Sequence, residues 1–480
     1  MSAKSPIRNS QAWLLALLAG LGLALTVLFV LYILLFINYP PGYDSPYGLN
    51  LQSITLFGDL WSYPRLAISP EDFRRGAILT TVGLWLVFLV TVPVAQRLEK
   101  GAQRRRSIYF AGGYFLFLNA LLALFMPPVL SSDVNHFSLY GRIVVHYNLN
   151  PYVVSGAAVP EDPFSLLTAF NPTTSRLGPL WTIISSGLVA LGGDSILKTV
   201  LLFKVFAAMC NLVAGSVVFL LARRLTGAFG LVSFLLYGWN PLILLETAGS
   251  AHLDAAMLAL AVLGIFIAVQ GSVLLGWLSL QLSVATKLTT ALILPLFVVY
   301  YLARQQTWRE RGRFILETAL VAILAWGLLV LPLTLGKASP VRVIFPASPA
   351  DNLMPNPLWL SLYGRFTTTS QVFDWTRLQS NTLDTFVLTL SLAFLGLLIV
   401  VIIMAIKNQY DWPHLIWWWG VLTFLYLFVV HGGSFPWYMI VPFAATSISW
   451  PAGRTHFFWG FCVLLSVVSM LIYGVLRTAT

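Results

Sequence analysis

Apolar runs of about 20 residues recur along the whole chain, each long enough to cross the hydrocarbon core of a bilayer as a helix. The first runs from Trp13 to Ile37, and others follow at short intervals up to the C-terminal region. No other feature narrows the fold as far, because backbone polar groups in lipid have to be satisfied within the chain itself. The composition agrees. The 480 residues are 58% hydrophobic and 9% charged, against about 25% charged in a soluble domain. So few charges cannot coat a water-exposed surface, and the chain reads as an all-α polytopic membrane protein.

The net charge of +11 does not mark a nucleic-acid binder, because the positive charge sits in short clusters between apolar runs. These are Arg97, Lys100 and Arg104 to Arg106, then Arg223 and Arg224, then Arg304, Arg309, Arg311 and Arg313. Such clusters mark cytoplasmic loops. Lys4 and Arg8 precede the first run, which is too long for a signal-peptide core and lacks a small-residue cleavage site. It is therefore expected to be retained, with the N-terminus in the cytoplasm.

About thirteen crossings follow, near 12–37, 76–95, 108–127, 199–222, 227–246, 253–270, 273–286, 288–304, 314–335, 383–406, 413–430, 437–450 and 457–476. The chain is read as one transmembrane domain, 1–480. It has N-terminal helices in 1–107, a first large outer loop at 128–198 and a second at 336–382. The apolar segment 180–191 is expected to be interfacial or re-entrant, since a crossing there would put Arg223 and Arg224 outside. No internal repeat is evident. Cys210 and Cys462 lie inside apolar runs and read as packed thiols.

Ionisable residues at a helix centre cost roughly 2.5 to 3.5 kcal/mol on insertion scales. Those that persist near helix ends are therefore functional candidates. In this topology Asp133, His136, Arg142, Lys198, Lys204, His252, Asp254 and Lys287 all fall at extracytoplasmic ends. The densest segment is Ser131 to Arg142, followed by Asn150-Pro151-Tyr152. If 132–147 is helical, Ser132 is its N-cap, and Asp133, His136 and Tyr140 share a face at i, i+3 and i+7. The helix dipole would then hold Asp133 ionised, which suits a general base taking a proton from a sugar hydroxyl. The plain alternative is a carboxylate that merely starts a helix.

Lys287, between two apolar runs, either meets a phosphate as a point charge or snorkels to lipid headgroups. His252 and Asp254 share an outer turn with Glu246 and either line a site or only cap a helix. His136 and His146 have no third partner at a diagnostic metal spacing.

The segments Asp133…Tyr140-Gly141-Arg142, Asn150-Pro151-Tyr152 and Leu177-Gly178-Pro179-Leu180-Trp181 resemble the first outer loop of GT-C glycosyltransferases. The likeness is greatest to bacterial polyprenol-phosphate-mannose-dependent α-(1→6)-mannopyranosyltransferases. Trp239-Asn240-Pro241-Leu242, followed by Gly249-Ser250-Ala251-His252-Leu253-Asp254-Ala255, resembles that family's Asn-Pro-Leu…Gly-His-Asn-Asp-Ala stretch. Ala285-Thr286-Lys287 resembles its lysine turn, and Phe435-Pro436-Trp437-Tyr438 its Pro-Trp-Tyr near the C-terminus. The likeness spans about residues 110 to 450. Leu177 stands where the family usually has Tyr, Leu253 where it often has Asn, and Asn135-His136 replaces Tyr-Ser or Tyr-Arg.

The resemblance implies a GT-C-like bundle whose outer loops carry short interfacial helices. It also implies an activity: transfer of a sugar, mannose above all, from a polyprenyl-phosphate donor to a glycan or lipid acceptor. Transfer would occur at the extracytoplasmic face of the plasma membrane, with inversion and with Asp133 as base. Cations lower the barrier to departure of the lipid phosphate, and Lys287, Arg142 and Lys204 are ranked for that role in this order. His136, Tyr140, Asn150, Tyr152, His252, Asp254, Trp437 and Tyr438 are the further substrate-binding candidates. Some relatives use a divalent metal and others do not; no metal motif is present in the sequence.

Two other classes stay open. A transporter or lipid flippase needs charged groups and broken helices near the bilayer midplane. A non-catalytic scaffold does not need Asp133, Asp254 and Lys287 to converge.

Overall fold

A computed structural model describes residues 6–38, 68–128, 131, 133–168, 173–227, 229–334, 338–346, 381–407, 410–430, 435–450 and 453–475. Among them there is no β-strand, and the protein is all-α. The early helices are α1 Pro6–Asn38, α2 Pro70–Glu99, α3 Arg104–Phe125, α4 Asp133–Val145, α5 Pro163–Leu167, α6 Pro179–Gly192 and α7 Ile196–Thr226. Next come α8 Gly230–Gly238, α9 Pro241–Leu244, α10 Asp254–Val269, α11 Val273–Thr286, α12 Ile293–Leu302, α13 Trp308–Thr334 and α14 Pro340–Ile344. The last are α15 Asn381–Ile406, α16 Trp412–Phe424, α17 Ile440–Ile448 and α18 Gly453–Val475.

Every expected crossing overlaps a helical segment among the described residues, but only some of these segments are long enough to span a bilayer. Among the described residues seven helices are long and apolar enough to cross a membrane alone: Gln11–Asn38, Pro70–Glu99, Arg104–Phe125, Ile196–Thr226, Trp308–Thr334, Leu388–Ile406 and Trp412–Val430. An eighth is added if Gly230–Gly238 and Pro241–Gly249, bent by 53°, count as one span. Asp254–Val269, Val273–Thr286, Leu288–Leu302 and Thr455–Leu471 are shorter apolar helices, as is Pro179–Gly192. The expected N-cap Ser132 and most of the second large loop, 347–380, lie outside the described residues.

The bend has a local cause. Pro241 has no N–H to continue α8, and the Asn240 side chain accepts from the backbone N–H of Leu242 and Ile243 to start a new helix. That helix ends in a π turn, Leu245–Gly249. Single π turns of this kind are frequent at functional sites.

The two ends of α3 mark the two ends of the bundle. At the Arg104 end, buried Glu99 accepts from the N–H groups of Leu231 and Val232 at 2.6 and 3.1 Å, capping α8, and pairs with Arg104 at 2.7 Å. At the Phe125 end, buried Lys204 of α7 donates to the carbonyls of Leu122 (3.0 Å) and Met126. These carbonyls lie at the C-terminal end of α3, where Leu122 also accepts from the Met126 N–H and Met126 is the residue just past the helix.

Between these ends small and amide residues hold the helices together, as in other membrane bundles. Gly264 of α10 and Gly276 of α11 pack so closely that a Cβ on either would lie under 3 Å from the other's carbonyl oxygen. Asn211 of α7 donates to the Asn119 Oδ1 of α3 at 2.9 Å and accepts from the Tyr237 hydroxyl of α8 at 2.8 Å.

Candidate functional site

Four chain segments meet beyond the Phe125 end of α3, and each is brought there by identifiable packing. The first is the start of α4. Gly141 lets α4 lie against α6, since a Cβ there would sit 2.7 Å from the Ser185 carbonyl oxygen. Asp133 opens α4, its backbone N–H bonded to the Ser131 hydroxyl at 3.1 Å. Its side chain keeps 24% of its surface exposed.

The second segment joins the π turn to α10. Ala251 has φ +59°, a left-handed conformation that a residue with a side chain seldom adopts. The chain thereby doubles back, and the ring of His252 lies against the residue six positions earlier. His252 Nδ1 is 3.0 Å from the Glu246 carbonyl oxygen and 3.0 Å from its carboxylate Oε2. On the other side of the ring, Nε2 is 3.5 Å from the Asp133 carboxylate. Glu246 and His252 are both buried.

Asp254, the first residue of α10, is buried as well, and both its oxygens accept from Lys287 Nζ, at 2.8 and 2.9 Å. Lys287 forms the third segment, the turn after α11, and its side chain keeps 24% exposure. Gly178, one residue before α6, braces this turn. Its N–H donates to the Thr286 carbonyl at 3.2 Å, and a Cβ there would lie 2.1 Å from the Ala285 carbonyl oxygen.

The fourth segment is the 3-10 turn Pro436–Met439. Trp437 stacks on the His252 ring at 4.1 Å and 27°, and the Tyr438 ring lies 5.0 Å from Lys287 Nζ. Asp133, His252, Asp254, Lys287, Trp437 and Tyr438 thus belong to one cluster, in which Asp133 and Lys287 are the partly exposed ionisable groups.

The electrostatics of the two histidines differ. Burial pushes His136 down to about 4; Asp133 opposes this and Arg176 adds to it. Burial also acts to lower His252, but Glu246, Asp133 and Asp254 outweigh it and raise that group above its ordinary value.

The other expected site residues are engaged in holding the fold. Arg142, ranked second among the cations for a phosphate, is buried and pairs through Nε with Asp162 at 2.6 Å. Asp162 also caps α5 by accepting from the Phe164 N–H. Nine residues of helix separate Arg142 from Asp133, about 13 Å. Lys204, ranked third, caps α3 as described. Tyr140 donates to the Thr173 carbonyl at 3.0 Å and packs against His136 at 4.3 Å. Asn150 bridges the Leu333 carbonyl of α13 and the Tyr152 N–H. The Tyr152 hydroxyl reaches the Leu177 carbonyl at 2.8 Å and the Thr182 hydroxyl at 2.9 Å. Glu246 carries no role in the sequence reading and is central here. Among the described residues no group of three or more His, Cys, Asp or Glu side chains is arranged to hold a metal ion.

Similar proteins can be set beside this geometry. Residues 53–304 match the family described as Alpha-(1->6)-mannopyranosyltransferase, N-terminal domain. One curated relative is Alpha-(1->6)-mannopyranosyltransferase A of Mycobacterium tuberculosis, 24% identical over 269 residues, which are 54% of this chain and 49% of the relative. The protein of the same name from Corynebacterium glutamicum is 26% identical over 179 residues, 37% of this chain and 36% of its own length. The alignments thus span half or less of the length of these curated relatives. No solved structure matches. The family match runs from before the start of α4 to the end of α12. It takes in Asp133, Glu246, His252, Asp254 and Lys287 and covers more than half of the chain, which therefore belongs to the family of the Alpha-(1->6)-mannopyranosyltransferase N-terminal domain.

Proposed function

We propose that this protein transfers a mannosyl group from a polyprenyl-phosphate donor to a glycan or lipid acceptor, with inversion, at the extracytoplasmic face of the plasma membrane. The observation that carries this reading is the convergence of Asp133 and Lys287 around buried His252, each of the two retaining 24% exposure. A carboxylate and an ammonium are the pair that the reaction needs. The acceptor hydroxyl oxygen attacks the anomeric carbon as the bond from that carbon to the phosphate oxygen breaks. The bonding electrons leave with the phosphate, and the hydroxyl proton passes to Asp133. Lys287, steered by Asp254, meets the charge that grows on the departing phosphate.

The basic clusters lie toward the opposite end of the bundle, where Arg104 pairs with Glu99. The positive-inside rule then supports an outside location for the Asp133 end. The donor is lipid-linked on this reading because nucleotide sugars stay in the cytoplasm. The bent span would suit a transporter, but its break holds Asn240, whose side chain caps the next helix. The convergence of the ionisable groups also speaks against a scaffold.

The test uses the purified protein in nanodiscs with polyprenyl-phosphate mannose. Asp133→Asn and Asp133→Ala are expected to lower transfer by at least about 10²-fold while donor binding and thermal unfolding stay near wild type. Transfer at the wild-type rate by Asp133→Ala would overturn the assignment of the base.

A further inference from the structure

We propose that His252 is a standing imidazolium, held by Glu246 as a positioning residue, and that it is a second fixed cation of the site beside Lys287. The proposal rests on the reading of this site as a sugar transferase, and deepens it.

The geometry of the ring carries it. Nδ1 lies 3.0 Å from two atoms, the Glu246 carbonyl oxygen and carboxylate Oε2, and Nε2 lies 3.5 Å from the Asp133 carboxylate. The first of these neighbours is a backbone carbonyl, which can only accept, and the other two are carboxylate oxygens. A neutral imidazole has one N–H and one bare lone pair, so either tautomer would aim a lone pair at an oxygen. The doubly protonated ring puts an N–H toward Glu246 and a positive charge within ion-pair distance, 3.5 Å, of the Asp133 carboxylate, with which Nε2 makes no hydrogen bond. The ring also lies flat on Trp437, with centroids 4.1 Å apart and planes 27° apart. A cation is attracted to the face of an indole.

The charged groups around the ring come from several elements, and the three that raise it are carboxylates. Glu246 comes from the π turn, Asp133 from α4 and Asp254 from α10, and Lys287 after α11 is bound to Asp254. Tyr32 of α1 approaches Glu246 from behind, and His136 of α4 lies near Asp133 and is held neutral by burial. Burial alone would strip the proton from His252, and the surrounding carboxylates reverse that effect. The left-handed turn at Ala251 makes the arrangement possible, because it folds the ring back onto Glu246. Strained backbone of this kind persists where the surroundings over-determine it, often at functional sites.

Glu246 is 4% exposed and lies on the far side of the ring from Asp133, so it acts on the reaction only through His252. The imidazolium itself faces the base. It orients the Asp133 carboxylate and adds positive charge where an anionic donor would bind.

Two readouts test this, one of them independent of activity. In nanodisc protein carrying 15N-labelled histidine, the His252 signals are assigned by their loss in His252→Gln. Both nitrogens of His252 are expected to bear protons at pH 7 in the wild type. In Glu246→Gln, which keeps an oxygen to accept from Nδ1 but loses the charge, the titration of His252 is expected to move to lower pH by at least about one unit. The alkaline limb of the transfer rate is expected to move with it, with rates approaching wild type at lower pH. A neutral His252 at pH 7 in the wild type would overturn the proposal. An unmoved titration in Glu246→Gln would remove Glu246 from it. If the Asp133 variants transferred sugar normally, the functional reading would fail, yet the NMR result would still decide the state of His252.

Discussion

Replacing Gly178 by alanine is expected to damage both stability and transfer, by amounts that follow from one close contact. The added Cβ would lie 2.1 Å from the Ala285 carbonyl oxygen, 2.7 Å from its carbon and 2.8 Å from the Thr286 oxygen. These are backbone atoms and cannot rotate away. The segment before α6 must therefore retreat from the end of α11 by at least about 1.3 Å to reach ordinary contact. Overpacking of this kind costs about 1 to 3 kcal/mol, and losing the bond from the Gly178 N–H to Thr286 costs about 0.5 to 1.5 kcal/mol more. The next residue is Lys287, whose ammonium sits 2.8 and 2.9 Å from the Asp254 oxygens. A displacement of about 1 Å in a positioned group can cost about 10²-fold in rate. The assay pairs thermal unfolding in nanodiscs with transfer of radiolabelled mannose. Gly187→Ala, on the same helix α6 with open space around its Cβ, is the control and is expected to be neutral or slightly stabilising. Gly178→Ala behaving like Gly187→Ala in both measurements would refute the claim that this glycine sets the lysine turn.

Three further outcomes are expected. Lys287→Met should lower transfer at least about tenfold while the protein still folds, because the ammonium is partly exposed and meets charge that grows in the transition state; wild-type turnover would remove it from that role. Asn211→Leu takes a partner from both Asn119 and Tyr237 and should lower stability by about 1 to 2 kcal/mol, read from unfolding in detergent. The histidines act on stability in opposite pH windows. His136 is held below its ordinary value, so its contribution is complete above pH 6.5 and is lost as pH falls toward about 4. His252 is raised, so its contribution is complete below pH 6.5 and is lost as pH rises through its folded value. Unfolding between pH 6.5 and 4 should accordingly be less pH-sensitive in His136→Gln than in wild type, and equal sensitivity would count against the burial argument.

The helices were legible because lipid allows little else, although among the described residues only seven, or eight with the bent pair, are long and apolar enough to span a bilayer. The cluster of Asp133, His252, Asp254 and Lys287 was legible for a related reason: charge at a helix end in a membrane protein has to be explained. Glu246 was visible in the same turn but had no role, because a spacing of six residues to His252 matches no helical face. Their contact depends on a π turn and on a left-handed alanine, and neither leaves a local signal in the sequence. Arg142 and Lys204, expected to face a phosphate, have other partners that were not legible, for the opposite reason. Their charge was plain, but their partners are remote or ordinary. Arg142 answers to Asp162, twenty residues on, and Lys204 to carbonyls of α3 about eighty residues earlier. No spacing rule distinguishes a cation that caps a helix from one aimed at a substrate.

On the proposed reading the site takes an anion, which bare cations would serve, yet Lys287 and His252 each lie beside a carboxylate. Lys287 is held by Asp254, and His252 lies between Glu246 and Asp133. The reason lies in the surroundings. An unpaired lysine or histidine in a dry pocket relieves its desolvation by giving up its proton, and would then offer no charge when the donor arrived. Buried Asp254 fixes the direction of the Lys287 N–H groups, and the carboxylates around His252 act to keep its proton in place. On the proposed reading, the phosphate then shares cations that are already charged and aimed, so little reorganisation is left for the transition state. The same logic separates two substitutions that look alike. Asp254→Asn should weaken transfer through Lys287 by loosening its position, with the loss spread over the pH range. Glu246→Gln should act through the charge state of His252, with the loss concentrated on the alkaline side. A matching pH profile for the two variants would mean that the carboxylates only shape the pocket.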